Sequence, residues 1–96
     1  MRATDVTGQS FTDWLKTQNP ETRFDYVSND NCVFAQYLKA MGFQRVSVNP
    51  WTFWVGISEH SLPRNVNAAI RYGAKGDDRL RSFGQVLEGL AEYGYV

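Results

Sequence analysis

The chain of 96 residues carries one cysteine, one histidine, three prolines and no formal net charge, and each shortage removes a class of protein. A single thiol rules out an internal disulfide, so stability must come from packing, and the usage fits a reducing, cytoplasmic compartment. One Cys and one His among scattered acids offer no zinc spacing. Gly73 and Gly76 lack the Gly-Lys-Ser continuation and the preceding strand of a phosphate loop. We therefore expect neither metal nor cofactor. Ten basic residues against ten acidic ones give no general field for wrapping a polyanion or adhering to a lipid surface. The longest apolar run, residues 51–55 and their neighbours, is far too short to span a bilayer, and the opening residues do not resemble a signal peptide. No membrane partner is expected.

Aromatic residues are what the chain has in surplus. Three Trp, five Tyr and six Phe exceed what a core of this size easily hides, so part of the aromatic surface is expected to stay exposed and to favour protein contact. At 43% hydrophobic and 21% charged the composition is that of a folded globule rather than a disordered chain. The length fits one domain over residues 1–96, with residues 1–9 as a loose arm lacking any periodicity.

The organising stretch is 24–43, which reads as a short aromatic strand, a polar turn and one apolar helix. Residues 28–31, Ser-Asn-Asp-Asn, hold turn formers and a cap, Asp30 or Asn29. The helix over 31–41 then presents Val33, Phe34, Tyr37, Leu38 and Met41 on a face too broad for one-sided packing. Gly42 ends it as a left-handed residue, with Phe43 as the hydrophobic contact behind it. Before this helix, Ser10 to Asp13 suggests a capping box opening a short helix with Phe11, Trp14 and Leu15 on one face, stopped before Pro20. Residues 23–27 alternate as a short edge strand.

After it, 45–49 alternates with Val46 and Val48 inward, and 51–55 resumes the strand beyond Pro50, which marks a bend or a sheet edge. Residues 56–61 read as a loop holding Glu59 and His60. A third helix is expected from Pro63 at its first position, with Leu62, Val66, Ala69 and Ile70 as its apolar stripe and Gly73 as its stop. Residues 73–78 are the best loop candidate. Ser82 with Gln85 suggests a second capping box, opening a last helix with Phe83, Val86, Leu87 and Leu90 inward. The sum is an α+β domain of about four short helices with a two- or three-stranded antiparallel sheet.

Chemistry could reside in three places. Cys32 falls in the first turn of the central helix, where unpaired amides and the helix dipole favour a thiolate, and His60 follows a strand later in the chain. That order of partners is the one used by cysteine hydrolases of the papain and NlpC/P60 kinds. Against it, Cys32 has no family signature after it, no third group orients the imidazole, and a free Cys is most often a small core residue. The stretch Trp51, Phe53, Trp54 places large aromatics on both faces of one strand, so at least one is expected to be exposed as a binding anchor. Between Arg64 and Arg81 stand Arg64, Arg71, Lys75, Arg79 and Arg81 against Asp77 and Asp78. This basic segment suits an acidic protein surface or, with Tyr72, a single-stranded nucleic acid.

In order of elements, from the Trp14-Leu15 helix through Pro20, Phe24-Asp25-Tyr26, Asn31-Cys32 with Ala35-Gln36-Tyr37-Leu38, the valine strand and the Ser82-Phe83-Gly84 helix, residues 10–92 resemble small proteins of phages and bacterial mobile elements. The best known of these are the anti-CRISPR inhibitors of host defence. The resemblance implies a small, single-domain, non-enzymatic protein that occupies a partner or nucleic-acid site on a host effector complex in the host cytoplasm. The group shares no motif, so it assigns no functional residues. The expectation is a non-catalytic protein-binding module using Trp51, Phe53, Trp54, Arg64, Arg71, Lys75, Asp77, Asp78, Arg79 and Arg81. The alternatives are a Cys32–His60 hydrolase and a direct nucleic-acid binder, and self-association as a homodimer stays open.

Overall fold

The computed structural model describes residues 1–74 and 80–96. A single 3-10 turn, Ala3–Asp5, leads into helix α1 (Gly8–Lys16). Its cap is Thr7, one turn earlier than the expected Ser10. The Thr7 hydroxyl accepts from the Ser10 amide at 3.0 Å, and Ser10 Oγ accepts from the Thr7 amide at 3.0 Å. Ser10 thus supplies the reaching-back half of the box, and the extra turn makes Phe11 an interior helical residue. Ala3 and Val6 pack on the core, so the first residues are docked rather than a loose arm.

Strand β1 (Arg23–Asp25) follows, then helix α2 (Val33–Ala40). Cys32 holds the cap position and makes no side-chain cap bond. Of the two expected caps, Asp30 instead accepts from the Ser28 hydroxyl at 3.1 Å. Val33, Phe34, Ala35, Tyr37 and Leu38 are all 0% exposed, which is the sandwiched helix that the broad apolar face demands. The stop is as expected: Gly42 has φ +96, its amide donates to Lys39 at 3.0 Å, and the Phe43 amide donates to Leu38 at 3.1 Å. That pair of bonds is a Schellman motif.

Strands β2 (Val46–Val48), β3 (Thr52–Val55) and β4 (Ser58–Ser61) form an antiparallel meander in the order β2-β3-β4. Val48 stands opposite Phe53, and Phe53 opposite His60. Pro50 serves the β2–β3 turn, which closes with the Asn49 amide donating to the Thr52 carbonyl at 2.8 Å. β4 corrects the loop expected at 56–61. Its residues are polar and mostly exposed, so no hydrophobic alternation announces it. The signal was the two-residue link Gly56-Ile57, with Gly56 at φ +61, a hairpin turn that needs Gly at its first position.

Helix α3 (Val66–Arg71) begins later than expected, after Asn65 at φ 63, so Pro63 lies before the helix and its carbonyl accepts from the Val66 amide at 3.2 Å. Strand β5 (Leu80–Ser82) pairs antiparallel with β1, Phe24 opposite Arg81. Helix α4 (Phe83–Glu92) opens on the expected box, the Ser82 hydroxyl accepting from the Gln85 amide at 3.2 Å and Gln85 Oε1 from the Ser82 amide at 2.8 Å. Among the described residues the fold is α+β, with four α-helices and two antiparallel sheets of two and three strands. No helix among them is long and apolar enough to cross a membrane.

Helices α3 and α4 cross at Gly89. A Cβ there would lie 2.1 Å from the Ala69 carbonyl oxygen and 2.8 Å from Tyr72 Cβ, so the backbones approach as only glycine permits. Gly89→Ala should lower the unfolding free energy by about 3 kcal/mol, the clash outweighing the ~1 kcal/mol gained from helix propensity. Urea unfolding measures it, with Glu88→Ala as a surface control. A loss no larger than the control's would contradict the close crossing.

Candidate functional site

Two adjoining depressions, of about 160 and 280 Å3, lie between the β2–β3 turn and α3 and share Pro50, Leu62 and Asn67. They form one groove. Tyr26 and Arg71 flank the smaller depression, where Cys32 contributes to the floor. Trp51 and Arg64 flank the larger. Trp51 is 78% exposed, yet its backbone is held from both sides. The Asn49–Thr52 bond closes the turn around it, and its carbonyl accepts from the Leu62 amide at 2.9 Å. The Arg71 guanidinium lies over the Tyr26 ring, 5.5 Å from its centroid, a cation–π contact that fixes the long side chain along the groove wall.

The structure therefore brings together three expected contact residues, Trp51, Arg64 and Arg71, and adds Tyr26, Asn65 and Asn67. It separates others. Phe53 is 2% exposed and packs on Phe34 with ring centroids 5.6 Å apart, so it belongs to the core. Trp54 stands on the opposite face of β3, half-buried and away from the groove lining. Arg81 is 1% exposed, against its expected place on a basic surface. Its Nη2 donates to the Tyr72 carbonyl at the C-terminal end of α3, where a cation meets the negative end of the helix dipole. Its Nε and Nη1 have no partner among the described residues. Lys75, Asp77, Asp78 and Arg79 lie outside the described residues.

The cysteine-hydrolase alternative finds no constellation here. Cys32 is 4% exposed, and burial pushes its thiol above the ordinary 9.0, outweighing the amides of Ala35 and Phe34 that favour the thiolate. His60 is not part of the groove lining around Cys32. It stacks on Phe53 at 5.2 Å, with Nε2 buried and unpartnered among the described residues. No group of three or more His, Cys, Asp or Glu among the described residues could hold a metal ion.

Comparison with known proteins adds no relative: the chain matches no protein-family model, no curated protein and no solved structure.

Three outcomes follow from these placements. Iodoacetamide at pH 7.4 should label native Cys32 more than roughly tenfold slower than the urea-unfolded chain, and His60→Ala should leave that rate unchanged. Because the folded thiol keeps its proton at a pH where the unfolded one ionises, the stability Cys32 contributes is complete below about pH 9 and declines above it. Cys32→Ala should flatten part of that decline in urea titrations. Separately, Arg81→Ala should cost about 2 kcal/mol or more, through a lost hydrogen bond and a cavity, whereas Arg64→Ala should cost less than about 0.5 kcal/mol as a surface change. Equal losses would contradict the division into structural and surface arginines.

Proposed function

We propose that this chain is a non-catalytic protein-binding module whose contact surface is the groove between the Trp51 turn and α3. The observation that carries the reading is Trp51 itself. A tryptophan 78% exposed on a backbone tied at both ends offers a large apolar surface to a partner and loses little backbone freedom when covered. Trp and Arg are the residue types that most often dominate interface energetics, and Arg64 lines the same depression as Trp51. The absence of a convergent nucleophile and base in the groove leaves recognition as the chemistry its described residues offer. Inhibition of a host effector complex, in the manner of the anti-CRISPR proteins, is the narrower form of this proposal and rests on the resemblance in element order alone.

The test is capture of partners by the tagged chain from a bacterial lysate, with Trp51→Ala alongside. Trp51→Ala should leave the unfolding free energy within about 0.5 kcal/mol of the parent and weaken retention of the captured protein roughly tenfold or more. Undiminished retention by a folded Trp51→Ala chain would remove the groove from the reading.

A further inference from the structure

Among the described residues the groove has a one-sided charge. Its described lining contains Arg64 and Arg71, several asparagines and no Asp or Glu. Neither guanidinium has a carboxylate partner among the described residues. Arg71 meets only the Tyr26 ring, and of Arg64 only the backbone carbonyl is engaged, by the Tyr95 hydroxyl. Asn67, which lines both depressions, has no side-chain partner among the described residues. In a chain with ten basic and ten acidic residues, so local a pair of guanidinia without a carboxylate partner among the described residues, beside the Asn67 amide, is a complementary template for anions. Beside them the smaller depression of about 160 Å3, floored by Cys32, Val48 and Ile70, has the volume of a cavity that accepts one benzene-sized group, ~150 Å3.

Resting on the protein-binding reading above, we infer that the groove recognises a short acidic segment of a partner protein, with carboxylates on Arg64 and Arg71 and one leucine- or phenylalanine-sized side chain in the depression beside Cys32. Guanidinium matches carboxylate geometry with two parallel hydrogen bonds, and Asn67 can donate to the peptide carbonyl between them. Trp51 closes the far end as a flat apolar wall. A peptide is favoured over a single-stranded nucleic acid on two counts. Two guanidinia make a pair of anion positions rather than a track along a backbone, and the zero net charge supplies no long-range attraction for a polyphosphate.

The experiment uses the full chain, labelled with 15N, titrated with a ten-residue peptide pool built from Asp, Glu, Leu and Phe. A second pool replaces the acids by Lys, and a third probe is ten-nucleotide oligo(dT). Expected are shifts of the Trp51 indole and Asn67 side-chain amide signals with the acidic pool only, weakening as NaCl rises. Arg64→Glu with Arg71→Glu, checked for folding by its spectrum, should weaken the response roughly tenfold or more, whereas Arg2→Glu should not. No response to the acidic pool at millimolar concentration overturns the inference. So does an equal response to the Lys pool, or tighter binding of oligo(dT) at the same residues. If lysate capture depends on Trp51 but survives the double charge reversal, the acidic specificity falls while the binding-module reading stands. If capture is also indifferent to Trp51, both fall.

Discussion

Burial of one short helix inside a cluster of aromatic rings is the constraint on which the rest of this structure depends. α2 is only eight residues long and would not hold a helix in water by itself. Phe34 and Tyr37 on it meet Phe11 at centroid distances of 5.0 and 5.4 Å. From there the ring contacts run outward in two directions. Trp14 joins Tyr37 to Phe83 at 5.6 and 5.9 Å, and Phe83 meets Phe24 at 5.8 Å, reaching the two-stranded sheet. Phe34 meets Phe53 at 5.6 Å and Phe53 meets His60 at 5.2 Å, reaching the three-stranded one. Two small sheets that share no strand are thus held by one continuous set of rings, most of them tilted or edge-on as aromatic quadrupoles prefer, with the Phe53–His60 pair stacked.

The groove inherits its form from this frame. Phe53 sits in the ring cluster, so β3 is fixed, and the turn that precedes it can present Trp51 to solvent without being loose. On the other side, α3 is positioned by its close crossing with α4 at Gly89 and by Arg81 at its C-terminal end. The Tyr95 hydroxyl donates to the Arg64 carbonyl, which ties the entry of α3 to the segment that follows α4. Each wall of the groove is therefore anchored from behind by a core contact, while the Arg64 guanidinium and the Asn67 amide carry no side-chain partner among the described residues. In the binding-module reading proposed above, such an arrangement would present fixed groups to a partner, with the ordering cost of binding falling mainly on that partner.

Much of the frame was legible in the sequence, and the reasons for success and failure are local. The broad apolar face of α2, its Gly42-Phe43 stop and the Ser82–Gln85 box of α4 are each set by short-range chemistry that residue types reveal. β4 and β5 were missed because they gain little from their own side chains: β4 is polar and exposed, and β5 is three residues with Leu80 outward and a charged residue inward. Tertiary pairing makes them strands. Arg81 was misread for a related reason, since a guanidinium buried against a helix end looks in sequence like any surface cation. The exposed tryptophan was foreseen from the surplus of aromatics, but which of Trp51 and Trp54 it would be depended on the turn at Pro50. Asn67 and Tyr26 escaped notice as site residues because only the fold brings them beside Arg64 and Arg71.

Native-state hydrogen exchange tests the central claim most directly, namely that Trp51 stands on a turn as firmly held as the core. The informative amides are those of α2, of Phe53, and of Asn49 and Leu62, whose bonds to the Thr52 and Trp51 carbonyls fix the turn. If the account is right, the Asn49 and Leu62 amides exchange with opening free energies within about 1 kcal/mol of those of α2, all near the global unfolding limit. Exchange of the turn amides several kcal/mol more easily than α2 would contradict it, making Trp51 a mobile tip rather than a fixed anchor.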